Sequence, residues 1–104
     1  MTKQEVINAV VPILKKYPVR QASFFGSYAR EDYTANSDID IIVDFNIEKV
    51  GLLFFSLRED LTDVLPGYLD LVYKPGLKCM ETEFQENIRK EEDIFYEADV
   101  KPNI

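Results

Sequence analysis

The segment DIDIIVDF, residues 38–45, constrains this chain more than any other. It alternates from its start: Ile39, Ile41, Val43 and Phe45 fall on one face of a strand, and Asp38, Asp40, Ile42 and Asp44 on the other. Acids are depleted in strands, so two of them opening an otherwise apolar one need a reason beyond capping a turn. Two residues apart, Asp38 and Asp40 share a face with Cα atoms about 6 to 7 Å apart, and both carboxylates can converge on one cation. Mg²⁺ takes oxygen ligands at about 2.0 to 2.1 Å, and a two-metal site spaces its ions by roughly 3.5 to 4 Å. Asp44 lies about 13 Å further along and reads as a solvated or structural acid.

Around this strand, helical and extended patterns alternate. Thr2-Lys3-Gln4-Glu5 reads as a capping box, followed by Val6, Ile7, Val10, Ile13, Leu14 and Tyr17 at helical spacing, with Pro12 inside the pattern and Pro18 ending it. Val19 to Phe25 is a strand running into Gly26-Ser27, and Tyr28 to Asp32 forms a short helix. Leu52, Leu53, Phe55, Leu57, Leu61, Val64 and Leu65 recur as a helix closed by Pro66-Gly67, with Phe54-Phe55 expected in the core. YLDLVY, residues 68–73, is a strand carrying Asp70 among apolar neighbours; Met80 to Lys90 reads as a helix and Asp93 to Glu97 as a last strand. The class is α/β.

No His occurs in the 104 residues and Cys79 stands alone, which removes the commonest general base and any disulfide or Cys-zinc framework. Chemistry falls to carboxylates, hydroxyls, Lys and Arg. A hydrophobic fraction of 46% with a net charge of −7 excludes a disordered chain and suits one domain spanning residues 1–104. The apolar stretch around Leu52 to Leu57 is far too short for a membrane span, and the first residues begin no signal peptide, so a soluble cytoplasmic protein is expected. Residues 81–99 hold eight acids and two bases, and the remainder is close to neutral. The acidic segment reads as a solvated helix face, and the missing basic stripe argues against stable nucleic-acid binding.

Gly26-Ser27 supplies the complement to the acids. At a strand-to-helix junction, Gly lets a phosphate approach the backbone, the first amides are free, and the Ser27 hydroxyl adds a donor. Mg²⁺ between Asp38, Asp40 and a triphosphate would remove the repulsion between the two anionic partners. If the strand carrying Asp70 lies beside this one, about 4.8 Å away, a third carboxylate joins the patch. A structural ion pair for Asp70 and a plain helix cap for Gly26-Ser27 are the competing readings. Tyr28 and Tyr33 read as packing residues rather than stacking platforms.

Gly26-Ser27, ten residues, then Asp38-Ile39-Asp40 resembles the GS-x10-DxD signature of the polymerase-β-type nucleotidyltransferase superfamily, and Asp70 resembles its third carboxylate. The wider stretch FFGSYAREDYTANSDIDIIVDF, in so short a chain, is similar to minimal nucleotidyltransferases (MNT) that pair with HEPN-domain proteins as toxin–antitoxin modules. The resemblance implies a mixed sheet flanked by helices, two Mg²⁺ ions, and transfer of AMP from ATP to a hydroxyl with release of pyrophosphate. Asp38, Asp40 and Asp70 would be catalytic and ligate metal, with Asp70 also helping to deprotonate the attacking hydroxyl. Gly26 and Ser27 would hold the β and γ phosphates. Arg30 would touch phosphate or form a structural ion pair. The family often has Gly after that Arg; Glu31 and Asp32 stand here instead.

The function so implied is an adenylyltransferase antitoxin that modifies a hydroxyl, that of a Tyr, on a HEPN-type toxin. Two alternatives remain: an antitoxin acting by occlusion alone, slightly favoured by the loss of that Gly, and a transferase acting on a small-molecule hydroxyl.

Overall fold

A computed structural model describes residues 1–79 and 82–98. Helix α1 (Lys3–Leu14) starts at a complete capping box: the Glu5 amide donates to Thr2 Oγ1 at 3.2 Å, and the Thr2 amide to Glu5 Oε1 at 3.0 Å. It runs through Pro12 as one element and buries Val6, Val10 and Leu14. Strand β1 (Val19–Phe25) follows, then the single turn α2 (Ser27–Arg30) and strand β2 (Ile39–Phe45). Asp38 stands one residue ahead of β2 rather than inside it. Helix α3 (Leu53–Val64) ends where Leu65, which precedes Pro66, turns extended at φ −104° and ψ 135°. Strand β3 (Leu69–Tyr73), a 3₁₀ helix (Lys74–Cys79), helix α4 (Thr82–Glu91) and strand β4 (Asp93–Glu97) complete the order. Met80, at the start of the expected fourth helix, lies outside the described residues.

The four strands form one mixed sheet in the order β3-β2-β1-β4. β1 is antiparallel to both β2 and β4, whereas β2 and β3 run parallel with α3 as their crossover. α1 and α3 cover one face, where Val6, Val10, Leu14, Leu57 and Leu61 meet Ala22, Phe24, Ile39, Ile41, Val43, Leu69 and Leu71. Fully burying one such side chain contributes about 1.5 to 3 kcal/mol, so this face carries most of the stability. Ile42 lies on the opposite face with Val72, Phe25 and Leu77 of the 3₁₀ helix. The alternation read from DIDIIVDF is therefore the one that the sheet displays.

Two side-chain environments differ from expectation and a third matches it. Phe54 packs on the core, but Phe55 is 60% exposed because it sits one residue round α3, off the buried stripe. The acidic segment is not simply a solvated face: Glu91 pairs with Arg30, Glu92 accepts from Ser23 and Lys74, and Asp93 pairs with Lys3, while Glu83 and Glu86 are exposed. These contacts fasten β4 and the end of α4 to β1, α1 and the 3₁₀ helix. Tyr28 is buried and stacks on Tyr33 with centroids 4.2 Å apart, so both are packing residues as read.

Candidate active site

β1 delivers Gly26 to the edge of the carboxylate patch. Gly26 has φ +66° and ψ −142°, a backbone state that residues with a Cβ avoid, and a Cβ placed there would stand 2.6 Å from Asp40 Oδ2. Only Gly allows this turn to press against Asp40. The Arg30 amide closes the following turn onto the Gly26 carbonyl at 3.1 Å, and the amides of residues 27–29 are left without an intrahelical acceptor. The Ser27 side chain stands at the head of this turn, where an anion would meet it together with those amides.

The parallel pairing of β2 with β3 sets Asp40 directly opposite Asp70, about 4.8 Å away between strands. On its other side Asp40 faces Phe25 of β1. Asp40 is half-buried, while Asp38 and Asp70 are exposed. Burial first, and then the charges of Asp70 and Asp38, push the Asp40 carboxyl up to about 6; the Arg30 cation offsets part of this. Three carboxylates, the Gly26 turn and Arg30 therefore belong to one electrostatic unit.

Arg30 itself is engaged: its Nε donates to Asp32 at 3.1 Å and a terminal nitrogen to Glu91 at 3.2 Å. The structural ion pair is the arrangement present. Asp44 pairs with Arg20 at 3.9 Å, away from the patch. Glu31, at the position where Gly was expected, adopts a left-handed φ of +64° as the residue closing α2, and reaches Lys3 at 3.3 Å. Among the described residues no three acidic or thiol side chains close a preformed cage around an ion. The donor set nevertheless fits Mg²⁺, which needs only oxygen ligands and is bound through one or two carboxylates completed by water and substrate phosphates. A cavity of about 220 Å³ between Arg20, Gln21, Glu97 and Ala98 lies towards the other end of β1 and contains none of these groups.

The motif does not mark Tyr68, which nonetheless lies immediately ahead of β3, next to the carboxylates. It is 66% exposed, two residues before Asp70, and its carbonyl accepts from the Ile39 amide at 2.9 Å, so it sits beside Asp38. The i, i+2 relation to Asp70 is the signal that places it there.

Residues 8–101 match the polymerase beta nucleotidyltransferase family. The chain belongs to that family. Among its relatives, the protein adenylyltransferase MntA of Thermococcus cleftensis is 41% identical over 83 residues, covering 75% of this chain and 84% of its own. A toxin–antitoxin crystal structure with AMP-PNP superposes with a TM-score of 0.68 at 22% identity, covering 89% of this chain and 74% of that one. A tri-AMPylated Shewanella oneidensis HEPN toxin in complex with an MNT antitoxin gives a TM-score of 0.65 at 20% identity, over 93% and 74% of the two chains. As a polymerase-beta-type nucleotidyltransferase, this protein has the fold that the Gly-Ser and Asp-x-Asp spacing implied. Among the described residues, no helix is long and apolar enough to cross a membrane.

Proposed function

We propose that this nucleotidyltransferase moves AMP from ATP to a hydroxyl, that of a tyrosine, on a HEPN-domain toxin and thereby acts as its antitoxin. The observation that carries the chemistry is the register of Asp40 with Asp70, with the Gly26 turn packed against the first of them. The name of the Thermococcus relative, the AMP-PNP in one structural neighbour and the AMPylated HEPN toxin in another support the donor, the transferred group and the partner class. An ATP-dependent reaction of this kind belongs in the cytoplasm, and the near-neutral body outside residues 81–99 suits a protein acceptor rather than a nucleic acid.

In this reading the free amides after Gly26 and the Ser27 hydroxyl bind the β and γ phosphates. Asp38, Asp40 and Asp70 would hold two Mg²⁺ ions, which when bound supply charge neutralisation at the phosphates. Asp70 also faces the acceptor hydroxyl and takes up its proton as the oxygen bonds to the α-phosphorus. The bond from that phosphorus to the β-bridging oxygen breaks, and pyrophosphate leaves. Arg30 reaches the phosphates by exchanging its Asp32 and Glu91 partners for an oxyanion.

Asp70→Asn separates transfer from occlusion, because it keeps the side chain's size and leaves the Gly26, Ser27 and Asp40 side of the site intact. AMP-PNP binding and toxin binding should persist, while transfer falls on the order of 10² to 10⁴, equivalent to about 3 to 5 kcal/mol. The assay mixes enzyme, purified HEPN-domain protein and ATP, and reads adduct mass and residual toxin activity. If wild type and variant neutralise the toxin equally at substoichiometric dose with no AMP adduct, the catalytic reading fails and occlusion stands. Adduct on an aminoglycoside-type small molecule instead of the protein would move the substrate class.

A further inference from the structure

We infer that Tyr68 is the acceptor-side contact of this site, its ring receiving the polypeptide segment that carries the reactive hydroxyl as that segment arrives over the outer edge of β3. The inference rests on the protein-adenylyltransferase reading and specifies from which side the protein substrate enters.

The sheet order gives the site a direction. The phosphate cradle at Gly26 belongs to β1, Asp40 to β2 and Asp70 to β3, so donor and acceptor sides are laid out across the strands. In-line displacement puts the attacking oxygen opposite the departing pyrophosphate. With the β and γ phosphates on the β1 side, the acceptor lies on the β3 side. β3 is an edge strand, and among the described residues nothing pairs with it on its far side. A polypeptide can approach that edge without breaking any strand pairing of the described residues.

Tyr68 stands at that entrance. It is the residue immediately ahead of β3, two before Asp70, and its carbonyl, accepting from the Ile39 amide, puts it beside Asp38. The turn that presents it runs close to the residues ahead of β2: a Cβ at Gly67 would lie 3.9 Å from the Ser37 carbonyl oxygen, in ordinary van der Waals contact. The other tyrosines are used by the fold: Tyr17 bonds to Asp60, Tyr28 stacks on Tyr33, Tyr73 meets Phe45 and Phe54, and Tyr96 packs on the core. Tyr68 makes no hydrogen bond through its hydroxyl and no ring contact among the described residues. A rigid aromatic with a polar tip, held beside the reacting groups and unused internally, is the residue type that dominates protein recognition.

The test measures initial rates of AMP transfer with the full chain, ATP and purified HEPN-domain protein, varying each substrate in turn for wild type, Tyr68→Ala and Tyr68→Phe. Tyr68→Ala should raise KM for the acceptor protein about tenfold, with KM for ATP within about twofold of wild type, and Tyr68→Phe should recover most of the loss. An unchanged acceptor KM in Tyr68→Ala overturns the inference while leaving the proposed function intact. A rise in the ATP KM in its place also overturns it, since the ring would then be contacting the nucleobase. Absence of any adduct with wild type overturns both. Because the side chain is 66% exposed, a Tm within a few degrees of wild type is the accompanying check that all three proteins are folded.

Discussion

Asp40 is held in a state that costs the free protein stability, and removing its charge measures how much. Its carboxyl is pushed up to about 6, chiefly by burial and then by Asp70 and Asp38. The ordinary value is 3.8, so a shift of about two pH units corresponds to roughly 3 kcal/mol at full value. Asp40 is only half-buried, and solvent screening reduces this to about 1 to 2 kcal/mol. The sign follows from proton uptake. Between about pH 4 and pH 6 the folded protein holds a proton that the unfolded chain has released, so stability from this group falls as pH rises through that window and stays low above it. Asp40→Asn keeps the shape without the charge. In metal-free buffer near pH 8 it should be more stable than wild type by about 1 to 2 kcal/mol, or roughly 5 to 15 °C in Tm for a chain of this size. Near pH 4 the two should converge. Urea or thermal unfolding of both proteins across this range, with chelator present, gives the difference curve. Taking the difference also cancels every contribution that the two proteins share. Millimolar Mg²⁺ should then raise the wild-type Tm and leave the variant's unchanged. A pH-independent difference, or a variant less stable than wild type at pH 8, refutes the charge-crowding argument.

Two further substitutions probe the backbone of the same region. Gly26→Ala introduces a Cβ at a positive φ and into contact with Asp40, and should cost about 1 to 3 kcal/mol in unfolding experiments and abolish measurable AMP-PNP binding by calorimetry; wild-type binding would contradict the cradle. Glu31→Gly relieves a left-handed residue and gives up only an exposed contact with Lys3, so it should stabilise the protein by about 1 kcal/mol in urea unfolding; destabilisation would show that the ion pair outweighs the backbone strain.

Much of this arrangement was legible because its signals are local. The Asp38-Ile39-Asp40 alternation, the Thr2 and Glu5 cap and the apolar stripes of α1 and α3 each need only a few neighbouring residues to define them, and the elements appear close to the expected bounds. Asp40 facing Asp70 was readable only as a conditional, since parallel register is decided by tertiary packing. What remained hidden depends on long-range partners. Glu91 finds Arg30, Glu92 finds Ser23, and Asp93 finds Lys3, so an acidic run that looks solvated in sequence becomes the fastening of an edge strand. Phe55 was misjudged because one helical residue is enough to rotate a side chain from core to solvent. The Gly missing after Arg30 has a physical meaning: the position is left-handed here, at φ +64°, a conformation that Gly adopts without strain.

The two halves of the site do not share the same mechanical footing. Gly26 and Asp40 sit on or beside the two central strands, each flanked on both sides, whereas Asp70 sits on β3, which has a single neighbour. Sub-global opening begins at such margins, where fewer backbone bonds must break together. With the roles proposed above, a protein whose β3 has frayed would still grip nucleotide but have nothing to activate the acceptor. Warming or mild denaturant should silence group transfer while the nucleotide remains bound, and amide protons of β3 should exchange with solvent before those of β1 and β2.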